Sequence, residues 1–148
     1  MTHHADKHSK GFRCWDQLVA MIYGQLSGVS SLRQLEAGFN SQSNHHYHLG
    51  TRPVRRSTLA EANSRRSTVV FEQTARLLME QASRQLRQEG QELFYLLDST
   101  SITLKGRGFD SWTWGNKTRN TQGIKLHLLY AAHQKIPLLH SFTAANVN

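Results

Sequence analysis

One carboxylate at the end of an apolar run is the residue of this sequence best suited to metal chemistry. Asp98 follows residues 93–97, whose aromatic and branched side chains are typical of a buried strand. Because side chains alternate along a strand, Phe94, Leu96 and Asp98 share one face. A carboxylate is costly to bury unless something compensates for its charge. Asp98 therefore either binds a divalent cation, or lies where the strand reaches the surface and caps the next turn.

Basic residues are concentrated in two parts of the chain. The 148 residues include 18 Lys and Arg against 10 Asp and Glu, which gives a net charge of +8, and the isoelectric point is near 10.2. An isoelectric point above about 9 is typical of nucleic-acid-binding proteins, and a basic protein without such a partner is the alternative. We name Arg52, Arg55, Arg56, Arg65 and Arg66 the N-terminal arginine cluster. The basic residues that follow Asp98 include Lys105, Arg107, Lys117, Arg119 and Lys125.

The N-terminal arginine cluster surrounds the expected start of a short helix. Thr58 and Glu61 have the spacing of a capping box, so we predict that this helix begins near Thr58. The N–H groups of a helix N-terminus bind phosphate, and neighbouring arginines add positive charge. Ser57, Thr58 and Asn63 are the polar residues that the helix offers to DNA, and Asn63 could reach a base edge. A solvent-exposed helix of a bundle is the alternative.

Of these basic residues, Lys105, Arg107, Lys117 and Arg119 lie in a Gly-rich insert, residues 105–123, that also contains Trp112 and Trp114. Bases stack on aromatic side chains, so basic residues interleaved with tryptophan suit single-stranded or distorted DNA. Packing of the two tryptophans on a sheet is the alternative.

Three histidines, His45, His46 and His48, lie between Ser41 and Pro53. Clustered histidines suggest a zinc site, but no cysteine or carboxylate lies nearby and the spacing is not that of a structural zinc site. We therefore expect an exposed loop over residues 41–53.

Helices are expected to position the N-terminal arginine cluster. Apolar residues from Trp15 to Leu26 have the spacing of an amphipathic helix, which Ser27–Gly28 should end. Ser31 and Gln34 predict a capping box at the start of a second helix. A long helix is expected from about Thr68 to Gln88. The apolar stripes are Trp15, Leu18, Val19, Ile22, Tyr23 and Leu26 in the first helix and Leu32, Leu35 and Phe39 in the second.

Three strands are expected to position Asp98. The first continues beyond Asp98 to Leu104, the second covers Ile124–Tyr130 and the third covers Ile136–Phe142. The short turn at His133–Lys135 predicts that the last two strands form an antiparallel hairpin.

Composition limits the cellular setting. The single cysteine, Cys14, cannot form an internal disulfide, which fits a reducing cytosol. No apolar window is long enough for a transmembrane helix, and the N-terminus lacks the apolar core of a signal peptide.

Short segments spread over residues 12–148 share the pattern of a known family. They are Phe12–Leu18, Ser31–Arg33, Tyr47–Gly50 and Ser57–Asn63 in the N-terminal part and Leu97–Thr100, Gly123–His127 and Thr143–Asn148 in the C-terminal part. Together they resemble bacterial DDE transposases of the insertion-sequence-four group. Each segment is weak by itself, but the combination is specific.

The resemblance implies an α+β chain with an N-terminal helical bundle followed by the first three strands of an RNase H-like catalytic domain. It places a disordered N-terminus at residues 1–11, a helical DNA-binding domain at 12–90 and the start of a truncated catalytic domain at 91–148. Such enzymes cut and rejoin DNA with two divalent ions held by two Asp and one Glu. Asp98 matches the first of these acids, which makes it the expected catalytic and metal-binding residue. The later two have no counterpart, so we expect an N-terminal part of a transposase, produced by truncation, a frameshift or a contig edge.

Function, cofactor and partners follow from the same resemblance. We expect DNA transposition, with this chain binding the DNA at the ends of the mobile element; a non-catalytic DNA-binding module or a repressor of the intact transposase is the alternative. Mg²⁺ or Mn²⁺ is expected in the intact enzyme, with no tight binding to this chain alone. The expected partners are double-stranded DNA with terminal inverted repeats and, as a further option, a second copy in a synaptic complex, with no membrane. The expected location is the bacterial cytoplasm, in association with the nucleoid.

We predict that the purified 148-residue chain neither cleaves nor joins DNA with Mg²⁺ or Mn²⁺. Two-metal phosphoryl transfer needs carboxylates that hold both ions about 3.5–4 Å apart, and Asp98 supplies only one ligand. The measurement is nicking of supercoiled plasmid, with Asp98→Asn as the matched control of similar shape. Metal-dependent nicking that Asp98→Asn abolishes would contradict the prediction and would show that Asp110 or a second copy completes the site.

Overall fold

The computed structural model describes residue 6 and residues 11–88, 95–104, 115–116 and 121–145. Over these residues, five helices precede four strands. The helices are α1 (Cys14–Ser27), α2 (Leu32–Ser41), α3 (Ser43–His46), α4 (Arg56–Arg65) and α5 (Val69–Gln88), and the strands are β1 (Tyr95–Thr103), β2 (Gly115–Asn116), β3 (Thr121–Ala131) and β4 (Ile136–Ala144). The chain is thus mixed helix and sheet, with the helices preceding the strands, as expected for an α+β protein. None of the helices in these ranges is long and apolar enough to cross a membrane.

The chain forms two compact units, Met1–Glu72 and Gln73–Asn148, which divide within α5. The domain boundary that we expect near residue 90 stays a prediction. Disorder of residues 1–11 falls almost wholly outside the described residues.

A small apolar core holds the N-terminal unit together. The core residues that pack against one another are Ala20 of α1, Leu35 and Phe39 of α2, Val54 shortly before α4, and Leu59 of α4. Leu59 and Val54 are its largest fully buried side chains. Because α1, α2 and α4 all contribute, this core fixes the start of α4 relative to the first two helices.

The buried face of α1 coincides only in part with the apolar stripe predicted from its sequence: Val19 and Tyr23 pack against the core, but the fully buried residues are others. The helix buries Asp16, Gln17, Ala20 and Gly24, together with Cys14. Asp16 and Gln17 can be buried because both form hydrogen bonds. At Gly24 a Cβ atom would lie 2.8 Å from Leu35 Cδ1, so the missing side chain lets α2 approach.

Several residues of the predicted stripe of α1 are consequently exposed. Trp15 is 52% exposed, Ile22 is 48% exposed and Leu26 is 83% exposed. The predicted end of the helix is confirmed, because Gly28 adopts the left-handed conformation with φ of 64°.

The two predicted capping boxes differ in outcome. Ser31 caps α2 as expected, since its Oγ accepts a hydrogen bond from the Gln34 backbone N–H at 3.2 Å. Gln34 Oε1, however, accepts from the backbone N–H and the hydroxyl of Ser30 at 3.0 and 2.9 Å. Helix α4 begins near Thr58 as predicted, but its first residue is Arg56 and its N-cap is Arg55 rather than Thr58, since the Arg55 carbonyl accepts the first helical hydrogen bond, from Leu59 N at 2.9 Å.

The expectation of an exposed loop over residues 41–53 is also wrong in part. Residues 43–46 form α3, and His46 is buried. Its ring stacks on Phe39 with a centroid distance of 4.5 Å. Its Nε2 lies 3.0 Å from the Phe39 carbonyl oxygen, which can only accept, so Nε2 donates. Stacking and this hydrogen bond together explain why a histidine is buried here.

The C-terminal unit contains an antiparallel sheet with β3 in the centre. β1 and β4 both pair antiparallel with β3, and β2 pairs with its first residues. Residues 132–135 form the turn between β3 and β4, which confirms the predicted hairpin. The register places Asp98 opposite Leu128 and Thr103 opposite Gly123. At Gly123 a side chain would collide with the Ile102 carbonyl, so glycine permits the close approach of β1.

The prediction that the first strand is buried is wrong for its described residues. All nine residues of β1 are exposed, and Leu97 is 79% exposed. Among the described elements, β1 makes its main contacts with β3, which lies beside it in the sheet and covers neither face. The described apolar residues of this run, at positions 95–97, are therefore exposed to solvent.

We predict that Leu59→Ala lowers the free energy of unfolding of the N-terminal unit by about 2–5 kcal/mol, because it leaves a cavity at a fully buried position. Leu26→Ala is the matched control on an exposed position and should change it by less than about 0.5 kcal/mol. Urea unfolding followed by the helical circular dichroism signal gives both values. Equal effects of the two variants would contradict the described core.

Candidate functional site

Asp98 lies within β1, at the end of the apolar run but not at the end of the strand, which agrees with the predicted continuation of the strand beyond Asp98. The strand continues to Thr103 because residues 99–103 keep pairing with β3, which excludes a role for Asp98 in capping the next turn. The carboxylate is exposed. Its Oδ1 accepts a hydrogen bond from the backbone N–H of Ser99 at 2.8 Å, and its Oδ2 lies 3.4 Å from the Thr100 hydroxyl.

The register shows which residues accompany Asp98 on its face of the sheet. Leu128 is its partner on β3, and His140 is the next in the same row, on β4. Leu128 thus lies between the Asp98 carboxylate and the His140 imidazole in this row. In the described part of the chain, no group of three or more His, Cys, Asp or Glu side chains is placed to hold a metal ion.

Magnesium is bound by oxygen ligands in octahedral geometry and usually keeps several waters. Asp98 would supply one such ligand, and Ser99 N–H already occupies one of its oxygens. The described residues therefore do not fit a complete two-ion site by themselves.

The N-terminal arginine cluster divides into two groups. Arg52, Arg55 and Arg56 are exposed, and none of them forms an ion pair with a described residue. Arg65 is exposed but pairs with Glu61 at 2.7 Å. The first three arginines are thus available to an anionic ligand.

Asp16 holds the start of the segment that carries these arginines. Its carboxylate is only 4% exposed. Oδ1 accepts from the Thr51 hydroxyl at 2.9 Å and from the Arg52 backbone N–H at 3.2 Å, while Oδ2 accepts from the Arg13 backbone N–H at 2.8 Å. Three hydrogen bonds to one carboxylate compensate for the burial of its charge.

Asn40 of α2 holds the same segment two residues further on. Its Nδ2 donates to the Val54 carbonyl at 2.9 Å, and its Oδ1 accepts from the Val54 backbone N–H at 2.8 Å. The side-chain amide thus pairs with Val54 as a neighbouring strand would. The side chain of Val54 is buried in the core, so this residue is fixed through both its backbone and its side chain.

Arg66 takes part in a network inside the N-terminal unit. Its Nη1 donates to Gln17 Oε1 at 2.9 Å, its Nη2 donates to the Phe12 carbonyl, and its guanidinium lies 5.3 Å from the centre of the Phe12 ring. Gln17 Nε2 in turn donates to Asn63 Oδ1 at 2.6 Å. These contacts join the end of α4 to α1.

Asn63, for which we expect a base contact, belongs to the same network. Besides accepting from Gln17, its Nδ2 donates to Met21 Sδ at 3.7 Å. The residue is nevertheless exposed. A base contact would have to replace these hydrogen bonds, so the expected role of Asn63 stays a prediction.

The start of α4 has features suited to an anion. Arg55 precedes the helix in an extended conformation, and its side chain forms no cap hydrogen bond. Ser57 is exposed and Thr58 is half-buried. The N–H groups of this first turn, beside three arginines, are a favourable environment for phosphate.

Most of the expected DNA contacts after Asp98 are not described. Lys125 lies on β3 opposite Ser101 and Thr143, and is half-buried. The other predicted residues, Lys105, Arg107, Trp112, Trp114, Lys117 and Arg119, lie outside the described residues, as does Asp110.

Cys14 is not a candidate nucleophile. Burial raises the pKa of its thiol, and a hydrogen bond to Asp6 together with the charge of that carboxylate raises it further, against a smaller opposite effect of Arg66. A thiol with a raised pKa stays protonated at neutral pH and reacts slowly.

Sequence reasoning missed the polar residues that support the arginines. Asp16, Gln17, Asn40 and Thr51 carry most of the buried hydrogen bonds described above, but each looks like an ordinary surface residue in the sequence. One signal was present: Asp16 stands three residues after Arg13, the spacing at which a side chain accepts from the N-cap backbone N–H.

We predict that neighbouring arginines contribute differently to stability. Arg66→Ala should lower the free energy of unfolding by about 1.5–3 kcal/mol, because it removes charge-assisted hydrogen bonds to Gln17 and Phe12. Arg65→Ala removes only an exposed pair with Glu61 and should cost about 0.3–0.5 kcal/mol. Urea unfolding of both variants is the measurement, and a larger loss for Arg65→Ala would refute the assignment.

Two family models match separate parts of the chain. Residues 1–52 match a family described as "Domain of unknown function (DUF4372)", and residues 89–148 match a family described as "Transposase DDE domain". The second match contains Asp98 and the described strands of the sheet. No solved structure matches the chain.

A curated relative extends this similarity. The chain is 41% identical over 91 residues to the protein named "Putative transposase y4zB" of Sinorhizobium fredii (strain NBRC 101917 / NGR234), an alignment that covers 61% of this chain and 24% of the relative. The aligned part therefore spans about a quarter of the relative's length. The chain is thus similar to a transposase DDE domain over residues 89–148, and over 91 residues it is similar to a protein that carries the name of a transposase.

Proposed function

We propose that this chain belongs to a DDE transposase of the insertion-sequence-four group and that its N-terminal unit binds double-stranded DNA at the terminal inverted repeats of a mobile element. The observation that carries the proposal is the set of exposed arginines Arg52, Arg55 and Arg56. Arg52 and Arg55 lie shortly before α4, Arg56 is its first residue, and no described acid forms an ion pair with any of the three.

The charge distribution of the N-terminal unit supports DNA as the ligand. Asp16 is buried and its oxygens accept hydrogen bonds from within the protein, so it exposes little charge. Glu61 is occupied by Arg65. Arg52, Arg55 and Arg56 are therefore exposed to solvent, and no described acid forms an ion pair with them. Phosphate contacts from arginine and from helix N-termini position a protein on a duplex.

The role proposed for Asp98 is that of the first acidic residue of an RNase H-like catalytic domain. It is supported by the match of residues 89–148 to the transposase DDE domain and by the exposed position of Asp98 on a paired strand, which holds the carboxylate rigidly. Mg²⁺ or Mn²⁺ is the proposed ion. Since Asp98 is one ligand, the other acids of such a site would come from outside the described residues.

A non-catalytic DNA-binding module, or a repressor of the intact transposase, is the second candidate. It is favoured by the self-contained core of the N-terminal unit, which places the arginines without any contribution from Asp98. The two candidates make the same DNA contacts and differ only in whether Asp98 takes part in chemistry. The substitution Asp98→Asn, made in a longer protein that contains this chain, separates the two candidates. It should abolish strand cleavage if the protein is a transposase and should change nothing if it is a non-catalytic DNA-binding module.

We predict that binding of the chain to terminal-repeat duplex weakens steeply with salt. Each phosphate neutralised by the protein contributes about −0.9 to the slope of log K against log salt. Arg55→Ala and Arg56→Ala should weaken binding to terminal-repeat and random duplex alike and make the slope shallower. Asn63→Ala, if this residue contacts a base, should weaken only binding to the terminal repeat, by about 1–3 kcal/mol.

Fluorescence anisotropy with labelled duplexes at several salt concentrations is the measurement. Arg65→Ala is the matched control, since this arginine is already paired with Glu61. No binding, or a flat salt response, would refute the proposed DNA-binding function. An unchanged preference for the terminal repeat in Asn63→Ala would mean that another residue reads the bases.

A further inference from the structure

The three exposed arginines lie on a short segment whose backbone is held almost residue by residue. We name residues 51–56 the anchored segment. The Thr51 backbone N–H donates to the His46 carbonyl at 3.0 Å, and the Thr51 hydroxyl donates to Asp16. The Arg52 backbone N–H donates to the same carboxylate. The proline at position 53 has no N–H group and a fixed φ angle.

The second half of the anchored segment is held equally firmly. Asn40 pairs with both the N–H and the carbonyl of Val54. The Val54 side chain is 1% exposed. The Arg55 carbonyl then accepts the first hydrogen bond of α4, from Leu59. Within this segment Thr51 and Val54 are buried, whereas Arg52, Arg55 and Arg56 are exposed.

We call Asp16 and Asn40, whose side chains bind the backbone of this segment, its two anchors. The burial of a carboxylate at the first anchor, Asp16, is not explained by stability alone. Asp16 is a nearly fully buried carboxylate with no described ion-pair partner, and burial of a charge is costly. Two of its three hydrogen bonds go to the residues that begin the anchored segment. Its main structural effect is therefore to fix the backbone at Arg52.

We propose that Asp16 and Asn40 are positioning residues, and that they pre-organise the anchored segment to bind the phosphodiester backbone of nucleic acid. A segment that is ordered before binding loses little backbone entropy when the ligand arrives, so its arginines bind more tightly than the same arginines on a mobile loop. This inference rests on the proposed function, because it explains how the DNA-binding arginines are presented.

The inference predicts that the hydrogen bond between Asp16 and Thr51 affects nucleic-acid binding only by positioning Arg52. Thr51→Val removes the hydroxyl donor to Asp16 and keeps the shape of the side chain. Thr51→Ser keeps the hydroxyl donor and should bind nucleic acid as the wild-type protein does. Arg52→Ala removes the phosphate contact itself. In the double variant, Thr51→Val should have no further effect, because the arginine that it positions is already absent.

The experiment measures binding of the complete chain to a fluorescein-labelled duplex of random sequence over a range of salt concentrations. Arg52→Ala should make the slope of log K against log salt shallower by about 0.9. We expect Thr51→Val to cause most of the same change, Thr51→Ser to cause none, and the double variant to equal Arg52→Ala. Circular dichroism confirms that each variant is folded at the temperature of measurement.

The salt slope separates positioning from a purely structural role. If Thr51 only stabilised the fold, a folded Thr51→Val protein would keep the unchanged slope, and that result would overturn the inference. Independent, additive effects of Thr51→Val and Arg52→Ala would also overturn it. If Thr51→Val did not fold, the same comparison of two single variants with their double variant can be made with Asn40→Ala and Arg55→Ala, at the second anchor. Failure of the unchanged chain to bind the duplex would instead refute the proposed function and, with it, this inference.

Discussion

The N-terminal unit depends on the hydrogen bonds of two buried polar residues, Asp16 and Gln17, which are adjacent on α1. Asp16 binds the anchored segment, and Gln17 binds both Asn63 and Arg66. Because the two residues bind different partners, α1 is joined both to the segment that precedes α4 and to the end of α4. Buried polar groups that are fully paired specify one arrangement more strongly than apolar contacts do, since any other arrangement leaves them unpaired.

This constraint divides the arginines by function. Arg66 is drawn into the network and stabilises the fold, while Arg65 is paired on the surface. Arg52, Arg55 and Arg56 extend from a backbone that the network holds in place. A count of basic residues treats all five as equal, whereas their contacts separate the arginines that are bound within the protein from the exposed ones that are available to an anionic ligand.

The sheet has a different organisation. Its centre is β3, which pairs on both sides, so the position of Asp98 is set by a continuous register with β3 from Tyr95 to Thr103. Asp98 shares its face with Leu96 and Leu128, and several apolar side chains of β1 and β4 are exposed. Pairing along the edges thus fixes the strand order without burying the apolar side chains, because hydrogen bonds between strands and packing on the faces are separate sources of stability.

The sequence by itself determined the class of elements and most of their bounds. The long helix α5, the end of α1 at Gly28, the Ser31 cap and the β3–β4 hairpin were all predicted, since each depends on local periodicity, capping or turn chemistry. The candidate residues Asp98 and the N-terminal arginine cluster also followed from charge and position. Tertiary structure alone decided which residues of α1 are fully buried, the burial of His46 and the division among the arginines. Each of these depends on hydrogen-bond partners distant in the chain, such as Thr51 for Asp16 and Phe12 for Arg66, and a local pattern contains no information about such partners.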